Sequence, residues 1–348
     1  RAVSEEFAAN MVIGVRDADG NTTWISEGTL AFDDDTPAGP DSLYRAYSLT
    51  KPLTSLAAVL LIEDGVLGLD EPIATYLPAF AEMEVLVDPD SFGDTRPATA
   101  QITIRHLLTH TAGLGYSLIP SGLSEAYAEA GIVPGLRLPH PLAPTYGPEP
   151  DSLRAFADRV ATLPLRVEPG TEWHYSIGHD VLAAIIEEAA GQPFETVLEA
   201  RVIEPLGMED TGFIVAPTDL DRLTTNYARL NGETVVHDTP QDSAWSVEPP
   251  FPSGGAGLVT TPQDYLRFMS AMANKGQLDG IQILPEAAVT LATSDLLPDG
   301  VTFDGFGAFS STGQGFGAGG RVWTRADGGE PEGTFGFASA ASSISTAL

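Results

Sequence analysis

A serine and a lysine three residues apart, Ser48 and Lys51, stand at the head of an apolar run in Tyr47-Ser48-Leu49-Thr50-Lys51-Pro52. The chain contains only two lysines, so the placement of this one beside a hydroxyl asks for a reason. Residues three apart share a helix face, which puts the Lys51 amine on the side of the Ser48 hydroxyl as a base beside a nucleophile. A free lysine has a pKa of roughly 10.4 and is cationic at neutral pH, but burial against apolar neighbours disfavours the charge. A helix N-terminus adds N–H groups and partial positive charge that stabilise an oxyanion. The same spacing also fits a capping serine with an incidental lysine. Tyr175, in Trp173-His174-Tyr175-Ser176-Ile177, is a second candidate, because a phenol near a cationic amine can serve as general base; packing is the commoner use of a loop tyrosine. His106 and His110 have metal-ligand spacing, but no glutamate follows His106 and no third ligand stands out. Capping or core hydrogen bonding is the better reading, and neither a metal nor a cofactor is expected. The chain has no G-x-S-x-G elbow and no phosphate-cradling glycine motif between strand and helix.

The elements that must position these residues are partly legible. Leu53, Leu56, Ala57, Leu60 and Leu61 recur at helical spacing, with Gly65 as a stop. Pro52 is tolerated only in a first turn, which predicts a helix with Ser48 at its N-terminus. Ile102 to Leu114, Ser152 to Leu163 and Val181 to Ala190 read as further helices. Met11 to Val15 and Thr22 to Ile25 read as strands joined by a turn at Gly20-Asn21. Phe303 to Phe309, Gly315 to Thr324 and Thr334 to Ala341 read as antiparallel strands. The expected architecture is α+β. Residues 1–65 and 250–348 form a sheet domain assembled from both chain ends, and 66–249 form a mainly helical domain. Its Gly- and Pro-rich segment 115–150 is expected to be a substrate wall.

Composition narrows the function. The chain of 348 residues has 48 acidic and 17 basic side chains, a net charge of −31, and is 43% apolar. That describes a folded, soluble protein, large enough for two lobes. Nucleic acid is excluded as a partner, since a phosphate backbone needs clustered Lys and Arg. Such acidity suits a salty medium, where self-repulsion is screened, so a halophilic or marine origin is an expectation. Zero cysteines exclude disulfides and thiol catalysis. No apolar stretch reaches the ~18 residues of a membrane span. The start at Arg1 suggests a removed leader, which favours a periplasmic or secreted location over a cytoplasmic one.

Five motifs recur here in an order characteristic of one superfamily. They are Tyr47 to Pro52, Ile104-Arg105-His106-Leu107-Leu108-Thr109-His110-Thr111-Ala112-Gly113-Leu114, Pro169-Gly170 leading to Tyr175-Ser176, Pro205-Leu206-Gly207-Met208, and Ser253-Gly254-Gly255-Ala256-Gly257-Leu258-Val259-Thr260-Thr261. Over about residues 10 to 341 the chain resembles serine hydrolases of the β-lactamase fold, specifically the class C β-lactamase-like esterases called family VIII carboxylesterases. The resemblance implies a β-lactamase/penicillin-binding-protein-like fold, an antiparallel sheet flanked by helices with an inserted helical domain. It implies Ser48 as the acylated nucleophile and Lys51 and Tyr175 as its base pair, without deciding which takes the first proton. The oxyanion hole would be the N–H groups of Ser48 and Ala340. Tyr116, Ile177, Phe337 and Ser339 would face substrate.

Departures from the family pattern carry the substrate argument. Ile177 stands where β-lactamases carry an asparagine that binds an acylamino group. Phe337-Ala338-Ser339 stands where they carry Lys-Thr-Gly, whose cation meets a carboxylate, and where the esterases usually carry Trp-Gly-Gly. Losing both polar handles leaves a carboxylate or amide unpaired, at roughly 1–3 kcal/mol apiece, so short-chain neutral esters fit best. Arg321 or Arg325 is the candidate substitute cation. The alternative reading is a β-lactamase or D-alanyl-D-alanine peptidase; a non-catalytic binding homologue has no need to keep Ser48, Lys51 and Tyr175 together. The family's chains continue past the oxyanion strand to a covering helix, so a chain ending at Leu348 is expected either to lack a tail or to show an open sheet edge. Oligomeric state has no signature in the sequence.

Overall fold

The computed structural model describes residues 8–137, 146–230, 232–303, 305, 313–325, 331–339 and, for the backbone alone, 344–347. Its first element is a hairpin of β1 (Asn10–Arg16) and β2 (Thr22–Gly28), antiparallel with Ile13 opposite Ile25. The short strand β3 (Tyr44–Arg45) then leads through a 3-10 turn at Tyr47–Leu49 into α1 (Thr50–Glu63). Ser48 therefore lies in the 3-10 turn, one step ahead of the expected α-helical start, while Pro52 falls in the first α-turn, where its missing N–H costs nothing. Every residue of α1 from Thr50 to Leu61 is buried. A helix buried all round needs apolar residues on all faces, which is why the sequence shows apolar residues between the periodic ones.

The helix expected over 102–114 is only α2 (Ile104–Leu108). Thr103 caps it, accepting from His106 N, while His106 Nδ1 accepts from Thr103 N at 3.1 Å. The chain leaves the helix because His110 adopts a left-handed backbone, φ 58°. At Gly113 (φ 76°) a β-carbon would stand 2.2 Å from the Val167 carbonyl oxygen, so no side chain fits. Ser152 caps α3 (Leu153–Val160), and α4 (Gly178–Ala190) ends at Gly191 in a left-handed C-cap. Strand β4 (Val259–Thr260) pairs with β3, and α5 (Pro262–Ala273) and α6 (Glu286–Ala292) follow. An antiparallel sheet β5 (Gln314–Phe316), β6 (Arg321–Trp323), β7 (Phe335–Ala338) and β8 (Ile344–Ala347) runs in sequence order. Both β1 and β8 contact α5.

The structure thus has the expected α+β content. Helix α1 packs against α4 and α6, and one principal core runs from α1 through α3 and α4 to Phe337. Sequence periodicity did not place the two hairpins inside 66–249, at 84–97 and 226–238. Segment 115–150 holds a helix at Ser124–Glu129, anchored where Gly115 N donates to the buried Tyr127 hydroxyl at 3.0 Å. Residues 138–145 of that wall and most of the strand expected at 303–309 lie outside the described residues. Among the described residues no helix is long and apolar enough to cross a membrane.

The capping histidine makes stability pH-dependent. Burial, with Arg105 adding to it and Asp70 opposing, pushes His106 down to about 4. A depressed histidine stabilises the fold fully above its unfolded pKa of roughly 6.5 and loses that contribution as pH falls toward the folded value. His106→Gln keeps a capping-box side chain without the titration. Urea midpoints should show wild type losing stability relative to the variant between pH 6.5 and 4; a constant gap would mean that the imidazole is not held neutral.

Candidate active site

The site is assembled where α1 meets the loop that precedes β4. Pairing of Tyr44 with Thr260 and Arg45 with Val259, continued by Ala46 N donating to Leu258 O at 2.8 Å, sets the direction of the 3-10 turn. Tyr47 completes it at φ 44°, a left-handed conformation that is an outlier for a bulky residue. Its ring meets the edge of Trp245 at 5.4 Å and its hydroxyl accepts from Asn226 Nδ2 at 2.6 Å, so the turn is held by tertiary contacts. Arg45, just before, is buried and ion-paired with Asp238.

The turn leaves Ser48 7% exposed and points its Oγ at two groups. The Tyr175 hydroxyl donates to it at 2.7 Å and Lys51 Nζ donates to it at 3.2 Å. Lys51 is 1% exposed, donates also to Gly255 O at 2.8 Å, and lies 4.8 Å from the centre of the Tyr175 ring. The structure thus brings Ser48, Lys51 and Tyr175 to one point.

Behind them is a network that sequence reasoning missed. The buried Asp180 carboxylate accepts from Ser253 Oγ at 2.5 Å and from Gly255 N at 3.1 Å. Burial pushes this carboxyl up, against the hydrogen bond from Ser253 and the charge of Lys51. Thr54 donates to Gly254 O at 2.8 Å and Thr50 accepts from Leu258 N at 3.2 Å. Loop 253–258 is therefore clamped between α1 and α4, which aims the Gly255 carbonyl at Lys51. A usable signal was present: Asp180 is a lone charge in the first turn of an apolar helix.

The remaining site residues fall as follows. Phe337 is buried and stacks on Tyr175, centroids 6.4 Å apart and planes at 26°. Tyr116 is half-buried with its ring edge on Tyr175 at 5.1 Å. Burial, then the neighbouring Tyr175 and Asp180, push its phenol well up. Ile177 has no exposure and packs in the principal core. The Ser339 hydroxyl donates to Ala46 O at 2.9 Å, so it ties the end of β7 to the turn that carries Ser48. Ala340 lies outside the described residues. Arg321 is buried with its guanidinium over the Trp323 ring, and Arg325 lies just past β6. His106 and His110 serve capping and core hydrogen bonding. A cleft of about 390 Å³ opens beside Tyr175, lined also by Ile119, Arg166, Trp173, His174 and Val301.

A serine contacted by a lysine and a tyrosine in this fold defines a class, the serine hydrolases of β-lactamase fold. Residues 9–346 match the family model described as Beta-lactamase, and the chain belongs to that family. It is 36% identical over 293 residues to protein Rv1367c of Mycobacterium tuberculosis, covering 83% of this chain and 69% of that one. It is 35% identical over 275 residues to esterase EstB of Burkholderia gladioli, covering 74% of this chain and 63% of the relative. Among solved structures it is similar to EstCE1, described as a hydrolase with promiscuous acyltransferase activity, with TM-score 0.72, 28% identity, and coverage of 99% of this chain and 89% of that one. The family, the likeness to esterase EstB and the likeness to the hydrolase EstCE1 make the protein a hydrolase of the expected β-lactamase/penicillin-binding-protein-like fold.

The clamp has a tight point at Gly254, where a β-carbon would lie 2.6 Å from both the Ala183 Cβ and the His179 carbonyl. Neither atom sits on a side chain that can swing away. Gly254→Ala should cost about 1–3 kcal/mol by overpacking and lower turnover in the folded fraction, by moving the Gly255 carbonyl from Lys51. Chemical denaturation and single-turnover rates check the two effects; unchanged values for both would show that the loop has slack.

Proposed function

We propose that the protein is a serine carboxylesterase that hydrolyses short-chain carboxylic esters through a Ser48 acyl-enzyme. The observation that carries this reading is the convergence of Tyr175 Oη and Lys51 Nζ on Ser48 Oγ at 2.7 and 3.2 Å. In the reactive form the Lys51/Tyr175 pair lacks one proton, and Ser48 Oγ attacks the ester carbonyl as its own proton fills that vacancy. With the vacancy on Tyr175, a Lys51 cation beside the ring stabilises the phenolate before it takes the serine proton. N–H groups of Ser48 and Ala340 are the proposed oxyanion donors. Collapse of the tetrahedral intermediate expels the alcohol, which takes the proton back from Tyr175. Water then enters and attacks the acyl carbon as its proton passes to the same pair, and the pair returns that proton to Ser48 Oγ as the acid leaves.

A preference for neutral acyl groups follows from the walls. Tyr116, Tyr175 and Phe337 form a contiguous aromatic surface, and Phe337 stands where a cation would meet a carboxylate. A charged group brought against these rings is desolvated without a partner, at roughly 1–3 kcal/mol or more, about tenfold per 1.4 kcal/mol.

Initial rates on p-nitrophenyl butyrate and on a chromogenic cephalosporin test this. Wild type should turn over the butyrate at least about 100-fold faster, and Ser48→Ala, Lys51→Ala and Tyr175→Phe should each lose about 10²–10⁴-fold. Dominant cephalosporin turnover would favour the β-lactamase or D-alanyl-D-alanine peptidase alternative, and activity surviving in Ser48→Ala would sink the mechanism. Tyr116→Ala should shift the optimum toward longer acyl chains, read from a butyrate-to-decanoate series; an unchanged profile would remove Tyr116 from the acyl pocket.

A further inference from the structure

The proposed chemistry depends on where the Tyr175 hydroxyl sits, and a residue that the chemistry does not use brackets that tyrosine. His110 is fully buried. Its carbonyl accepts from His174 N at 2.9 Å, and its ring Nδ1 accepts from Ser176 N at 3.3 Å, with Ser176 Oγ also at 3.3 Å. One residue therefore holds the chain on both sides of Tyr175. Between the two holds, the imidazole lies against the Tyr175 ring, centroids 4.6 Å apart and planes at 40°. Trp173, His179 and Phe316 close around it at 5.8, 4.9 and 5.6 Å.

Packing alone does not account for an imidazole there. Its backbone is left-handed, a conformation that bulky residues disfavour. Its Nε2 is buried without a hydrogen-bond partner among the described residues. An apolar ring of similar size would leave no such orphan. What the imidazole adds is an acceptor at Nδ1, which places the ring proton on Nε2. Burial, and then the charge of Lys51, push His110 well down, so the ring stays in this neutral form.

We propose that His110 is a positioning residue for Tyr175, its Nδ1 and ring face together fixing the phenol at the distance from Ser48 that proton transfer requires. The inference rests on the role proposed above for Tyr175. Loss of the Nδ1 acceptor frees Ser176 N, lets the 174–176 segment shift, and lengthens the contact between Tyr175 and Ser48. A misplacement of about 1 Å is enough to cost on the order of 100-fold in rate.

The test compares wild type, His110→Phe, His110→Asn and Tyr175→Phe, by kcat and KM on p-nitrophenyl butyrate and by the rate at which a fluorophosphonate probe labels Ser48. His110→Phe keeps an aromatic disc and removes the acceptor. His110→Asn puts an amide oxygen near the Nδ1 position and tolerates a left-handed backbone. The expected result is that His110→Phe loses about 100-fold in kcat and in labelling rate with KM little changed, while His110→Asn recovers at least about tenfold of that loss. If His110→Phe does not fold, His110→Gln, whose amide reaches toward the Nε2 position instead, takes its place in the same comparison. Wild-type kcat in His110→Phe, or an Asn variant no better than Phe or Gln, would overturn the proposal. Wild-type labelling and turnover in Tyr175→Phe would instead overturn the assignment of Tyr175 on which it stands.

Discussion

Burying a lysine is the constraint around which this molecule is organised. An ammonium removed from water must find partners or it destabilises the fold, and Lys51 finds them in the Gly255 carbonyl, the Ser48 hydroxyl and the face of the Tyr175 ring. Each partner then has to be held. Gly255 gives its N–H to Asp180 and its carbonyl to Lys51, so one glycine couples a buried carboxylate to a buried amine that it does not touch directly. Asp180 in turn holds Ser253, and Thr50 and Thr54 fasten the same loop to α1. Thr50, Lys51 and Thr54 are thus the positions where the loop is fastened to this nearly apolar helix, while Ser55 joins it to His179 of α4.

The aromatic surface beside Ser48 meets a second constraint. Tyr175 must present its oxygen to Ser48 while its ring serves as a surface for Lys51, and both demands fix the ring plane. Phe337, Tyr116 and His110 supply that fixation from a strand, a loop and the end of α2 respectively. No single element owns the site, so it is rigid only when the principal core that joins these elements is intact.

Much of α1 was legible in sequence, because apolar periodicity, a first-turn proline and the Ser48 to Lys51 spacing are all local signals. Tyr175 was legible as a candidate only through its loop setting and the ordered motifs, since nothing within a few residues of it reports that Ser48 lies across from it. The expected helix over 102–114 was too long because its periodicity continues past the point where His110 turns left-handed, a choice made by contacts with Ser176 and Tyr175. Ser339 looked like a substrate contact by alignment to a motif; its hydroxyl is engaged by Ala46, a partner 293 positions away. Asp180 went unremarked because a charge in a first helical turn usually faces solvent, and only the loop 253–258 makes it a buried anchor. What was missed is what depends on residues remote in the chain.

The hydrogen bond from Ser339 to the carbonyl of Ala46 also bears on how the site is made during synthesis. Ser48, Lys51, Asp180 and Tyr175 all precede β5 in the chain, whereas Phe337 and Ser339 come after it, in β7 and just past its end. A nascent chain with the first group in place still lacks the ring that stacks on Tyr175 and the tie on the turn that carries Ser48. Loop closure over that separation is entropically demanding and slow compared with local helix formation. The stacked Phe337 and the Ser339 tie therefore join the site after its other members have been synthesised, which makes a fully ordered site wait on formation of the β5–β8 sheet.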